Sequence, residues 1–83
     1  MWAEPEKYKL VGAVIASARE RAKVTQASLA RRLGKPQSFI SNLERGQRRI
    51  DVVELVKLAE AIGADPKRLF SDLVRATSRP SRR

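Results

Sequence analysis

Apolar residues recur along this chain at intervals of three and four, the spacing that places side chains on one face of an α-helix. The first stripe predicts a helix from about residue 6 to about residue 22. Glu4-Pro5 biases the preceding backbone away from helix, so residues 1–5 are expected to be flexible. Trp2 either covers the end of the core or contacts a partner. The stripe consists of Tyr8, Val11, Ile15, Ala18 and Ala22.

Two short helical patterns joined by a glycine turn occupy residues 25–46. Thr25 is the expected N-cap of the first, whose apolar face is formed by Leu29, Ala30 and Leu33. Gly34 ends this helix, because glycine adopts the left-handed conformation common at helix ends without a Cβ penalty. Pro36 suits the first turn of the next helix, since its φ is fixed near the helical value.

The second of these patterns has an apolar face, with Ile40 and Leu43, and an opposite face without a hydrophobe. The polar face has hydroxyls, an amide and a guanidinium, which pair with base edges and phosphates in the DNA major groove. Two such helices joined by a short turn predict a helix-turn-helix. Phe39, between the two faces, either packs on neighbouring helices or meets a thymine methyl. The polar face consists of Ser38, Ser41, Asn42 and Arg45.

A loop and two further helices are predicted after residue 45. Arg48 and Arg49 are expected to contact phosphates, because adjacent loop residues can follow a DNA backbone without entering a groove. Asp51 and Glu54 fit a capping box that opens a helix ending at Gly63. Asp65-Pro66 opens a last helix, followed by an expected disordered basic tail over residues 75–83.

The positive charge is concentrated in the helix-turn-helix and the tail. The chain has 83 residues and a formal charge of +9. Residues 19–50 contain nine basic and two acidic residues, whereas residues 51–74 contain three basic and five acidic residues. Charge selected only for solubility would not leave residues 51–74 acidic, so the distribution indicates a surface that binds a polyanion.

Composition excludes several classes of chemistry. The chain contains no cysteine and no histidine, which rules out disulfides, zinc fingers, thiol nucleophiles and imidazole bases. No nucleophile–base pair or carboxylate dyad is evident, so we expect no enzyme, no metal and no cofactor. The sequence has no apolar run of membrane-spanning length and no signal-peptide pattern. A cytoplasmic protein without membrane contact is therefore expected.

The sequence from about residue 8 to residue 70 resembles the Xre-type, or lambda-repressor-like, helix-turn-helix domain. This likeness implies an all-α, compact five-helix domain over residues 6–74 with a central helix-turn-helix, dimeric DNA binding, and a recognition helix near residues 37–45. The motifs that carry it are Thr25-Gln26, Leu29-Ala30, Leu33-Gly34, Gln37-Ser38, Ile40-Ser41, Leu43-Glu44-Arg45-Gly46, Leu55, Leu58-Ala59 and Ile62-Gly63.

The resemblance also implies roles for single residues. An ion pair between Arg19 and Glu44 would tie the first helix to the recognition helix, the alternative being a solvent-facing arginine. Gln26 would face the DNA backbone, the alternative being a solvated glutamine without a partner. Lys23 stands where the family commonly has glycine, so a positive φ there would be strained. The last helix would form the dimer contact or, alternatively, fill the core, through Leu69, Phe70, Leu73 and Val74.

These observations predict a regulator of transcription, and more specifically a repressor, that binds a palindromic operator in double-stranded DNA as a homodimer. The alternatives are an antitoxin or protein-interaction module with a toxin partner, and a controller protein of a restriction–modification system. The expected base-reading residues are Gln37, Ser38, Ser41 and Asn42. The expected phosphate contacts are Gln26, Arg45, Arg48 and Arg49.

Overall fold

The computed structural model describes residues 4–78, which form five α-helices and no strand. The predicted all-α five-helix fold is confirmed. Trp2 and residues 79–83 of the tail lie outside the described residues, so the expectations for them stay predictions. The helices are α1 (Pro5–Arg21), α2 (Gln26–Leu33), α3 (Gln37–Glu44), α4 (Val52–Ile62) and α5 (Pro66–Thr77).

The helix ends follow the local chemistry of the sequence. Thr25 Oγ1 accepts a hydrogen bond from the Ser28 N–H at 3.0 Å, which satisfies one free donor at the start of α2. Gly34 closes α2 in the left-handed region, at φ 68°. Asp51 and Glu54 form a complete capping box at the start of α4. Lys23 has φ 61°, a conformation that a side chain with a Cβ adopts at some cost.

Three boundaries differ from the sequence expectation. α1 already begins at Pro5, and Pro36 is the N-cap of α3 rather than part of its first turn. α5 continues beyond Val74 to Thr77. Its last turn is held because Thr77 Oγ1 donates to the Leu73 carbonyl at 2.7 Å and Lys7 Nζ donates to the Thr77 carbonyl.

The core consists of two adjoining clusters that meet around α1 and α4. The larger cluster lies under the helix-turn-helix, where Leu29, Ile40 and Leu43 are fully buried against Ile15 of α1. The smaller cluster packs α5 onto α1 and α4. Its members are Ala18, Leu55, Ala59, Leu69 and Leu73.

α1 and α3 approach each other so closely that Gly12 cannot have a side chain. A Cβ at Gly12 would lie 2.3 Å from the carbonyl oxygen of Glu44, well inside van der Waals contact with the backbone. No pattern in the sequence distinguishes this glycine from others in helices. Because α1 is anchored to both core clusters, the contact fixes where the C-terminal end of α3 lies.

Candidate nucleic-acid interface

The outward side of α3 is polar, as its sequence pattern indicated. Gln37 and Ser38 are exposed, and Ser41 and Asn42 are partly exposed. Arg45, which follows the helix, donates to Asn42 Oδ1 at 2.6 Å. The first turn therefore offers freely accessible polar groups, whereas the amide of Asn42 is already oriented by its neighbour.

Arg19 and Glu44 form a buried ion pair between α1 and α3. Arg19 Nε lies 2.6 Å from Glu44 Oε2, and Arg19 NH2 donates to Glu44 Oε1 at 3.0 Å. The side chains retain only 11% and 7% of their exposure. Arg19 NH1 also donates to the Val24 carbonyl at 2.9 Å. The hydrogen bond to Glu44 raises the pKa of Arg19, although burial acts in the opposite direction.

A chain of side-chain hydrogen bonds runs from this pair to the first residue of α3. Gln26 Nε2 donates to Glu44 Oε1 at 2.8 Å, and Gln37 Nε2 donates to Gln26 Oε1 at 3.3 Å. Glu44 accepts only, so the Gln26 amide must direct its nitrogen to Glu44 and its oxygen to Gln37. Gln37 then retains its carbonyl oxygen and one N–H for another partner.

The Gln26–Glu44 bond was missed in the sequence analysis. Periodicity assigns Gln26 to the start of one helix and Glu44 to the end of another, and nothing in their spacing predicts contact. The available signal was Glu44 itself. A carboxylate on the buried face of a helix must bind several donors, and Arg19 alone does not use both oxygens fully.

The loop after α3 is braced against α4 by Arg48. Its NH1 and NH2 donate to the two carboxylate oxygens of Glu54, at 3.0 and 2.9 Å. The hydrogen bonds of this pair raise the pKa of Arg48 and lower that of Glu54. Arg49, the other predicted phosphate contact in this loop, is exposed. The Arg49 guanidinium lies 5.9 Å from the centre of the Tyr8 ring, a looser contact than the ion pair of Arg48. The adjacency of the two arginines in sequence does not reveal this difference.

Phe39 lies under two cations rather than projecting freely from α3. The Arg48 guanidinium is 4.3 Å from the centre of its ring, and Lys35 Nζ is 5.4 Å away. Both contacts are cation–π interactions. Part of the ring also packs against the larger core cluster, so the packing alternative describes Phe39 in this structure.

The comparisons with known proteins agree with this geometry. Residues 15–69 match the family profile described as Helix-turn-helix. An uncharacterised HTH-type transcriptional regulator of Sinorhizobium fredii is 42% identical over 55 residues, which cover 66% of this chain and 71% of the relative. The chain belongs to the Xre family of helix-turn-helix transcriptional regulators.

Solved structures similar to this Xre-family protein cover most of its length. An XRE-family like protein from Pseudomonas syringae pv. tomato is 42% identical with a TM-score of 0.75, covering 87% of this chain and 88% of its own. The clp gene regulator ClgR from C. glutamicum is 26% identical with a TM-score of 0.77, covering 87% and 94%. The restriction-modification controller protein C.AhdI from Aeromonas hydrophila is 31% identical with a TM-score of 0.69, covering 81% and 100%.

The four residues predicted to form a dimer contact on the last helix of this Xre-family protein fall into a buried pair and an exposed pair. Leu69 and Leu73 are 1% and 7% exposed and fill the protomer's own core, which leaves them little surface for a partner. Phe70 and Val74 are 56% and 45% exposed. Periodicity alone missed this division, because both pairs continue the same apolar pattern.

No helix within residues 4–78 is long and apolar enough to cross a membrane. Over the same residues, no group of three or more carboxylate, imidazole or thiol side chains is placed to hold a metal ion. The outward side of α3 and the loop that follows it offer hydrogen-bonding groups and positive charge.

Proposed function

We propose that this Xre-family protein is a sequence-specific transcriptional repressor that binds a palindromic operator as a homodimer and acts by occluding the promoter. The observation that carries the proposal is the outward side of α3. It is accessible, polar and free of hydrophobes, and it lies between the start of α2 and the arginine-bearing loop. A helix with such a face fits the major groove of B-DNA.

Base recognition is assigned to Gln37, Ser38, Ser41 and Asn42. The free oxygen and N–H of Gln37 match N6 and N7 of adenine, the bidentate pairing that an amide makes best. Asn42 offers the same groups, but Arg45 already uses its oxygen. Since the N-terminal part of a recognition helix contacts bases most deeply, Gln37 and Ser38 are expected to contribute most to specificity.

Phosphate contacts are assigned to Gln26, Arg45, Arg48 and Arg49. Gln26 stands at the start of α2, where backbone N–H groups and the helix dipole favour an anion. Arg48 donates two N–H groups to Glu54 and a third to the Arg49 carbonyl, and it retains its Nε–H and one further N–H for a phosphate. Arg49 is exposed and is the stronger candidate of the two.

The dimer contact is assigned to the exposed apolar residues beside α5. Phe70 and Val74 line a shallow groove together with Val52 at the start of α4. Val52 is 74% exposed, so three exposed apolar side chains lie together at this groove. A two-fold contact here would bury one such patch against its copy.

Selection of bound sites from a random duplex library tests the proposal most directly. Recovery of a symmetric motif with two half-sites about one helical turn, or about 34 Å, apart is the expected result. A salt titration on the selected duplex should then give a steep log–log slope, with about −0.9 for each neutralised phosphate. A flat titration with no enriched motif would exclude sequence-specific DNA binding.

The similarity to C.AhdI favours a second candidate, a controller of a restriction–modification system. Both candidates need the same DNA-binding surface, so binding assays do not separate them. The genes beside this one do, because a controller is expected next to an endonuclease and a methyltransferase. A neighbouring toxin gene, or a toxin that copurifies, would instead favour the antitoxin alternative.

A further inference from the structure

A groove between α1 and α5 is not used by the proposed DNA surface or by the proposed dimer contact. Its floor is apolar, with Leu10, Ala13 and Val14 of α1. Leu10 remains 41% exposed, although it adjoins the core-facing stripe of the helix. Arginines border the groove on both helices, namely Arg21 on α1 and Arg68 and Arg75 on α5.

The arginines of this groove are only weakly engaged within the protein. Arg68 and Arg75 both lie near Asp72, at 3.6 and 3.7 Å, and their side chains are 75% and 76% exposed. Arg21 donates to Ser17 Oγ at 2.9 Å and remains exposed. Three cations against one carboxylate leave a positive rim around an apolar floor. Ion pairs at these distances, in which the arginine is largely exposed, contribute little to stability, and the arginines can exchange them readily for better partners.

The groove faces away from the recognition helix. On α1, Gly12 and Arg19 contact α3, and Ala13, Ser17 and Arg21 line the groove. At about 3.6 residues per turn, the centre of the second set lies about half a turn from the first. A partner seated in the groove would therefore leave the DNA-contacting face accessible.

We propose that this groove binds an acidic amphipathic helix of another protein while the regulator is on DNA. The groove length from Leu10 to Arg21 is about 16 Å, at about 1.5 Å per residue, which accommodates about three helical turns. Leucine-type side chains of the ligand would lie on Leu10 and Val14, and its carboxylates would pair with the rim arginines. Helix-in-groove recognition of this type uses one apolar stripe flanked by charge.

The test uses two synthetic peptides of about four helical turns, each with a leucine stripe. One has glutamate at the flanking positions and the other has lysine. Titrations by fluorescence anisotropy, and chemical-shift mapping on labelled protein, are made first without DNA. The result of these peptide measurements therefore does not depend on whether the proposed DNA recognition is right. The acidic peptide is expected to bind, with affinity falling as salt rises, and to shift amides of α1 and α5.

Variants separate the groove from general attraction to a basic protein. The double substitution Arg21→Glu with Arg75→Glu is expected to lower the affinity for the acidic peptide by about tenfold or more, because like charges would then face each other. Arg31→Glu with Arg32→Glu makes the same charge change on α2, outside the groove, and is expected to have a much smaller effect. Leu10→Ser tests whether the apolar floor of the groove contributes to peptide binding, without changing the charge of the protein. Circular dichroism establishes that each variant is folded.

Several outcomes would overturn the proposal. Equal binding of both peptides would show an apolar patch without charge selectivity, and binding of neither would show no docking site. Shifts centred on α3, or displacement of a DNA duplex by the acidic peptide, would place the peptide on the DNA surface instead. A second copy of this chain in the groove would appear as concentration-dependent shifts without any peptide.

Discussion

Gln26 donates its side-chain amide to Glu44 at 2.8 Å, so the carboxylate that holds Arg19 also orients a residue of the proposed DNA surface. Glu44 therefore serves both the stability of the fold and the orientation of a proposed DNA contact. From the sequence, Glu44 was predicted to have only a structural role, as the partner of Arg19. The geometry gives it a second, positioning role that acts through Gln26 on Gln37.

Glu44→Ala is expected to lower both the melting temperature and the affinity for the selected operator. It leaves Arg19 charged and nearly buried, a loss of about 3 to 5 kcal/mol in fully buried cases. It also frees the Gln26 amide to rotate. Calorimetry and operator titration below the melting temperature measure the two effects. Arg19→Met with Glu44→Leu should recover stability but not affinity, and recovery of both would remove the positioning role.

Gln37→Ala is expected to weaken operator binding by about 1 to 3 kcal/mol and to leave binding to a scrambled duplex nearly unchanged. Arg49→Ala should weaken binding to both duplexes alike, since a phosphate contact has no base preference. Arg49 is the better control than Arg48, whose removal would also unpair Glu54. The measurement is a pair of titrations at one salt concentration. Equal losses for Gln37→Ala on both duplexes would make it a positioning contact.

Glu54→Gln is expected to reduce the free energy of unfolding by roughly 0.5 to 1 kcal/mol at pH 7, in the upper range of partly exposed ion pairs. Glutamine retains the capping box, so the change isolates the pair with Arg48. The pKa of Glu54 is lowered on folding. Its contribution is therefore full above the unfolded pKa of about 4.3 and disappears as the pH falls through the folded pKa.

Urea unfolding between neutral and acidic pH measures this difference. The curves of parent and Glu54→Gln should converge in acid. Glu60→Gln, at an exposed position of the same helix, controls for the loss of a negative charge. A gap in the free energy of unfolding that stayed constant across the pH range would mean that the charge of Glu54, and hence its ion pair with Arg48, does not cause the difference.

Gly12→Ala is expected to destabilise the fold by about 1 to 3 kcal/mol or more and to weaken DNA binding, because the added methyl meets the backbone of Glu44 and displaces α3. Gly63→Ala is the matched control. It costs about 1 to 2 kcal/mol through its φ of 88°, but its Cβ would meet no atom within 4 Å. If the two variants bound DNA alike below their melting temperatures, α1 would not set the position of α3.

Phe70→Glu is expected to weaken self-association by about tenfold or more while the protomer stays folded, because Phe70 is 56% exposed in the protomer and the proposed dimer would bury its ring, where a charge is unfavourable. Leu73→Asp should instead unfold the protomer, since Leu73 is in the core. Sedimentation with circular dichroism distinguishes the two results. A parent protein that sediments as a monomer both free and on DNA would exclude the dimer.

The sequence predicts the elements of this fold well because their ends depend on neighbouring residues. Thr25, Gly34 and the Asp51–Glu54 box each act within one helical turn, so their chemistry is visible without tertiary structure. The polar face of α3 is equally local, because it follows from periodicity. These signals were sufficient to assign the candidate DNA surface to α3, whose polar face is exposed or partly exposed in the structure.

What the sequence did not predict depends on contacts between distant elements. Gly12 resembles any glycine in a helix until the backbone of Glu44 is placed against it. The Arg48–Glu54 pair arises because the loop folds back onto the start of α4. Leu73 and Val74 are adjacent in one apolar pattern, and only the packing of α5 decides that one is buried and the other exposed.

α3 is short for a helix, and its order, on which the affinity for DNA depends, comes from the rest of the fold. It has eight residues and no side-chain cap, and isolated helices shorter than about 12 to 15 residues are marginal in water. α3 is therefore ordered by the packing of Ile40 and Leu43. The conformational entropy of this helix is lost when the protein folds, rather than when it binds DNA. Only the folded fraction of molecules presents the surface, so apparent DNA affinity scales with that fraction. The backbone amide hydrogens of α3 should exchange with solvent mainly through unfolding of the whole domain.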